Sequence, residues 1–122
     1  PRAAALAARL NKHFDGARAS AGTDLRAALE GASGLIHATP TGMAAMPGMP
    51  LPEEWLRRAM WVSDVVYVPL ETPLLKAARR VGCATADGGH MNVGQAVDGF
   101  KLFTGVDADA ARMDAHFRRL VS

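Results

Sequence analysis

Three short segments with strand signals, each followed by proline or glycine, are set along this chain between stretches whose apolar residues recur every three or four positions. They are the apolar run Leu35 to Ala38 before Pro40, Trp61 to Val68, rich in β-branched and aromatic residues, before Pro69, and the short segment Cys83 to Ala86 before Gly88 and Gly89. Successive parallel strands need crossover connections, usually helical, and those helices cover the faces of the sheet. The alternation of helix and strand therefore predicts βαβ units and a mostly parallel sheet with helices on its faces, an α/β fold. In such a sheet ligands gather at the carboxyl ends of the strands. Those ends are Ala38 to Met43, Tyr67 to Thr72 and Asp87 to Met91.

The segments between the runs carry helix signals. Leu6, Leu10 and Phe14 recur at spacing four behind Pro1, which suits a first turn, and Asp15 and Gly16 end that helix. Ala17 to Ala21 reads as a short, weak strand, and Thr23 as the cap of a helix through Glu30. Thr41 to Leu51, rich in Gly, Pro and Met, reads as a long surface loop. A third helix is expected from Pro52, with Glu53 and Glu54 in its first turn, through Met60. Thr72 and Pro73 start the next helix and Gly82 stops it. A long helix follows Gly89, with Val93, Ala96, Val97, Phe100 and Phe103 on one face and Gly105 at its end. Asp107 or Asp109 then caps a last helix.

At 122 residues the chain suits one small domain. Of the apolar residues 24 are Ala, which favours helix over a bulky core. Aromatic residues make up 6% and the net charge is +2, neither of which suits a polyanion-binding face, so nucleic acid is not an expected partner. A single cysteine, Cys83, leaves no intrachain disulfide or paired-cysteine zinc site and points to a reducing cytoplasm. The four histidines show no metal-ligand spacing, so no metal is expected. No run approaches the length of a membrane span or forms a signal peptide. Helix-type sequence starts at Pro1 with no strand before it, as expected of a chain cut within a fold.

Each candidate residue has an ordinary structural reading beside a functional one. Ala38-Thr39-Pro40-Thr41-Gly42-Met43 is either a common loop or a turn that lets a flat ligand approach the backbone. Tyr67, the only tyrosine, is either a core residue with a satisfied hydroxyl or a substrate contact. Gln95 lies four residues after Met91, on a face distinct from Val93 and Val97, where it either meets solvent or presents an amide to a ligand. The arginine pairs 57–58, 79–80 and 118–119 read as solvated helix ends.

Taken together, Ala38-Thr39-Pro40-x-Gly42-Met43, then Asp64-Val65-Val66-Tyr67-x-Pro69-x-x-Thr72-Pro73-Leu74-Leu75, then Asp87-Gly88-x-x-Met91-x-x-x-Gln95-Ala96, resemble in order and spacing the C-terminal half of the shikimate dehydrogenase family. The likeness covers nearly the whole chain and looks closest to the quinate/shikimate dehydrogenase branch. It implies an incomplete Rossmann-like sheet, lacking the first strand and Gly-rich turn, with closing helices over about residues 90–122. All of residues 1–122 would then be the C-terminal part of one dinucleotide-binding domain. It implies Tyr67 and Gln95 as contacts to shikimate or quinate. Ala38, Thr39, Val65, Gly88 and Met91 would line the nicotinamide side of an NAD or NADP site, and Arg2 would lie near the adenosine ribose.

Two departures stand out: His37 replaces the Asn usual before Ala-Thr-Pro, and Asn92 replaces the Leu usual after the Met. The first is expected to alter how the loop is tied down, the second to put a polar group near the ligand. The catalytic Lys and Asp of the family would belong to a missing N-terminal domain, so no catalytic residue is assigned. The expected function is the cofactor-binding portion of a shikimate/quinate dehydrogenase, inactive alone. The competing reading is a non-catalytic nucleotide-binding or interaction module of the same descent. A homodimer closed over an unpaired sheet edge is a further expectation.

Overall fold

The computed structural model describes residues 2–16 and 18–121, so Pro1, Ala17 and Ser122 fall outside the description. Two compact units are resolved, one ending at Gly31 and the other beginning at Ala32.

The first unit holds α1, Arg2–His13, and α2, Leu25–Glu30. Of the strand expected over Ala17 to Ala21, Ala17 lies outside the described residues and residues 18–21 are not in a strand. The backbone N–H of Ala19 donates to Asn11 Oδ1 and the Ala19 carbonyl accepts from Asn11 Nδ2, both at 2.8 Å, so one side-chain amide takes the groups a sheet would have needed. The cap of α2 is Asp24 rather than Thr23: its Oδ1 accepts the Ala27 N–H at 3.0 Å.

In the second unit the strands are β1, Gly34–His37, β2, Trp61–Asp64, and β3, Ala84–Ala86, parallel throughout in the order β1-β2-β3. The register sets Leu35 opposite Val62 and His37 opposite Asp64. The other helices are α3, Pro73–Val81, α4, Gly88–Thr104, and α5, Ala110–Val121. α3 packs on β2 and β3, and Leu74, Leu75, Ala77 and Ala78 make the densest part of the core with Val62. The other side of the sheet is less covered than a doubly wound pattern predicts, since Ile36 and Trp61 are exposed.

α3 starts and stops where local chemistry dictates. Thr72 Oγ1 accepts the Leu75 N–H at 3.2 Å, Pro73 occupies the first turn, and Gly82 ends the helix in the left-handed region at φ +90. α4 is capped by Asp87, and Asp109 caps α5 by accepting the Arg112 N–H at 2.9 Å. The face expected on α4 is buried only in part: Val93 is enclosed, whereas Phe100 and Phe103 are exposed.

Two other expectations fail for tertiary reasons. In place of a helix from Pro52 to Met60 there is a single 3-10 turn, Glu53–Trp55, after which Leu56 is extended. Leu51, Leu56 and Met60 are each buried from this irregular path, and Glu53 is drawn to α3 by Arg80, Nη2 to Oε2 2.5 Å. That contact holds the Glu53 carboxyl below the usual carboxylate range, chiefly through the hydrogen bond from Arg80. β2 also ends at Asp64 rather than Val68, because the Val66 N–H turns back to donate to Asp64 Oδ1 at 3.0 Å.

The arginine pairs are not merely solvated. Arg79 pairs with Glu71, and Arg118 with Asp114 and Asp87. Arg57 lies outside any helix and donates to the Ala32 carbonyl at 2.8 Å.

Leu75→Ala, at a fully enclosed position, is expected to lower unfolding free energy by about 2–5 kcal/mol in urea titrations. Leu102→Ala, at a position 82% exposed, should change it by less than about 0.5 kcal/mol.

Candidate functional site

The carboxyl ends of β1 and β2 meet over a buried polar cluster centred on Asp64. This carboxylate is 1% exposed and receives three donors: His37 Nδ1 at 3.0 Å and the Val66 N–H at 3.0 Å on Oδ1, and the Thr72 hydroxyl at 2.7 Å on Oδ2. Thr72 is itself fully buried and, through the Leu75 N–H it accepts, ties the cluster to the first turn of α3. A buried charge is tolerated only when its acceptor sites are filled, and here they are filled from a strand, a loop and a helix cap. On the other side His37 Nε2 lies 2.5 Å from Thr39 Oγ1, which carries the cluster out to the surface.

Above it lies a cavity of about 420 Å³ lined by Ala38, Thr39, Pro40, Met43, Val65, Val66, Tyr67, Val68 and Met91. The lining is aliphatic, thioether and aromatic, with two side-chain hydroxyls, from Thr39 and Tyr67. It suits a flat, largely apolar group with a few polar atoms at its edge. Gly88 belongs to the same corner. A Cβ there would sit 2.4 Å from the Val65 carbonyl oxygen, so only glycine lets the start of α4 close onto the end of β2. The Tyr67 ring is backed by Phe117 of α5, with centroids 6.3 Å apart. Beyond Tyr67 the chain turns through the cis peptide bond between Val68 and Pro69.

Of the eight residues expected at the site, Ala38, Thr39, Val65, Tyr67 and Met91 line this cavity and Gly88 braces it. Gln95 is exposed one turn further along α4 and does not line it. Arg2 belongs to α1 of the first unit. Asn92 borders a different, smaller cavity of about 220 Å³ shared with Phe117 and Leu120 of α5. A larger cavity of about 520 Å³ between Phe100 and Arg119 includes none of the expected residues. Cys83 is buried, donates its thiol to the Arg57 carbonyl at 3.2 Å, and has its pKa pushed up by that burial, all of which suit an inert packing residue.

The Asp64 cluster is what the sequence reading passed over. Its signal was an Asp inside the strand segment Val62-Ser63-Asp64-Val65-Val66, a charge that cannot be buried there without partners.

Comparison with known proteins follows the same lines. The chain is 59% identical over 121 residues to a shikimate dehydrogenase (NADP(+)) of Streptomyces avermitilis, covering 98% of this chain and 42% of that protein. It is 47% identical over 122 residues to a quinate/shikimate dehydrogenase (NAD(+)) of Corynebacterium glutamicum, covering 98% and 43%. Among solved structures, quinate dehydrogenase from Corynebacterium glutamicum in complex with NAD superposes with a TM-score of 0.87 at 45% identity, over 97% of this chain and 43% of that one. No protein-family model matches. The chain is thus similar along nearly its whole length to a C-terminal part of shikimate and quinate/shikimate dehydrogenases, and it spans about 42% of the length of the curated relatives. Its three parallel strands with flanking helices are of the Rossmann-like kind.

Asp64→Ala would strand three buried donors and is expected to cost about 3–5 kcal/mol of stability. Thr72→Val, which removes one donor and the cap of α3, should cost about 1–2 kcal/mol. Denaturant titration of both variants checks the order; equal and small losses would mean that the cluster does not hold the strand ends.

Proposed function

We propose that this chain is the C-terminal, cofactor-binding portion of an NAD(P)-dependent shikimate/quinate dehydrogenase, which interconverts shikimate and 3-dehydroshikimate or quinate and 3-dehydroquinate. The observation that carries the reading is the apolar cavity where β1 and β2 end: it gathers Ala38, Thr39, Val65, Tyr67 and Met91, which come from three separate segments of a chain so similar to those enzymes. When bound, NAD(P) supplies or accepts the hydride. This chain's part is positional. Ala38, Val65 and Met91 would bear on the nicotinamide end and exclude water, with Gly88 keeping the α4 backbone close. Thr39 would give the ring's surroundings a polar contact. Tyr67 and Gln95 would hold one edge of the polyhydroxylated acid, and Arg2 would face the adenosine ribose.

The proton of the substrate hydroxyl would be handled by a Lys and an Asp of an N-terminal catalytic domain that this chain does not include, so no residue here is assigned that role. Metabolism of shikimate or quinate suits a cytoplasmic enzyme. Among the described residues no helix is long and apolar enough to cross a membrane.

In the complete enzyme, Tyr67→Phe and Gln95→Ala are each expected to lower kcat/KM for shikimate or quinate by about 1–3 kcal/mol, roughly 5- to 150-fold, as for loss of a polar contact to substrate. Unchanged kinetics in both would remove them from the substrate site. The 122-residue chain alone is expected not to reduce NAD(P) in the presence of either substrate, and tight NAD(P) binding by it without the Gly-rich turn would favour the non-catalytic module. Reduction above a blank, followed by nicotinamide absorbance, would show the assignment of proton transfer to another domain to be wrong.

A further inference from the structure

His37 is 6% exposed and touches the buried carboxylate and the cavity rim with the two nitrogens of one ring: Nδ1 is 3.0 Å from Asp64 Oδ1 and Nε2 is 2.5 Å from Thr39 Oγ1. A carboxylate only accepts hydrogen bonds, so Nδ1 carries the proton. In the neutral ring Nε2 is then an acceptor, and the Thr39 hydroxyl must donate to it. The single hydroxyl proton therefore points inward. What Thr39 has left is lone-pair capacity, part of it toward the Thr41 N–H at 3.4 Å and the rest toward the cavity that Thr39 lines.

We propose that His37 is a positioning residue that fixes Thr39 as a hydrogen-bond acceptor toward the nicotinamide end of NAD(P), and that protonation of His37 reverses Thr39 to a donor. The inference rests on the reading of the cavity as the cofactor site. The matching group on the ligand is a hydrogen-bond donor, an amide N–H or a sugar hydroxyl. An imidazolium donates from both nitrogens, so Thr39 Oγ1 would accept from Nε2 and turn its own proton outward, against the ligand's donor. The ionisable group that faces His37 is Asp64 of β2. Thr72, at the start of α3, adds only a neutral hydroxyl on the far oxygen of that carboxylate, and Tyr67 lies beyond it on the cavity wall. Asparagine at position 37 does not take up a proton, so it would leave the Thr39 hydroxyl without a pH-dependent partner.

The test uses the complete enzyme that carries this chain, in which the His37 ring is assigned by nitrogen-15 NMR through the signal lost in His37→Asn. The neutral His37 ring is expected in the Nδ1–H form. NADH affinity, read by nicotinamide fluorescence, should fall about fivefold or more as pH is lowered through the His37 titration seen by NMR, the size of one hydrogen bond. The fall should vanish in His37→Asn and in Thr39→Val and survive in Thr39→Ser. Thr39 is exposed, so its variants keep the test sound if His37→Asn does not fold. A neutral ring in the Nε2–H form, or a fall that persists in Thr39→Val, overturns the proposal while leaving the cofactor site in place. Absence of NADH binding at every pH overturns the cofactor reading and this proposal with it.

Discussion

Burying one carboxylate at the end of the central strand organises this structure. Asp64 could not remain charged and enclosed without donors, and the three it recruits belong to a strand, a loop and the cap of a helix. Each hydrogen bond does a second task. The one from Val66 ends the β2 ladder and turns the chain toward the cavity. The one from Thr72 orients the hydroxyl that caps α3, the helix that buries Leu74, Leu75, Ala77 and Ala78 in the core. The one from His37 carries the polar chain out to Thr39.

The sequence disclosed those parts of the fold whose causes are local. α3 was legible because Thr72, Pro73 and Gly82 act within a turn of their own positions, and the end of α4 was legible at Gly105, although its start lies at Gly88 behind the Asp87 cap rather than after Gly89. The parallel order of strands followed from strand signals separated by helices. Where the deciding partner is distant, the reading failed. Nothing within residues 52–60 reveals that burial of Leu51, Leu56 and Met60 along an irregular path would win over a helix. Nothing beside Ala19 reveals that Asn11 would take both of its backbone groups.

The candidate site divides in the same way. Ala38, Thr39, Tyr67 and Met91 were placed at the carboxyl ends of the strands from topology, whereas Val65 fell inside the expected strand Trp61 to Val68 and was named only through resemblance. Arg2 came only from resemblance, whereas Gln95 was singled out by its place four residues after Met91, and Gln95 does not line the cavity. His37 stood out as a substitution, but its partner lay across the strand register at Asp64, a pairing that no linear pattern expresses. Helix-end charges behaved likewise: arginines that suit helix dipoles by position proved to be bound to specific carboxylates in other segments.

The contact between Tyr67 and Phe117 joins residues fifty positions apart, across α3, β3, α4 and the turn into α5. Closing a loop of that length comes after the local helices and the strand pairs that need shorter loops. The cavity wall is thus among the last surfaces to acquire its shape as the chain folds. Intermediates that already hold the parallel sheet would present Tyr67 without its backing. Competence to grip a ligand therefore reports completion of folding, more stringently than helix content or sheet formation does.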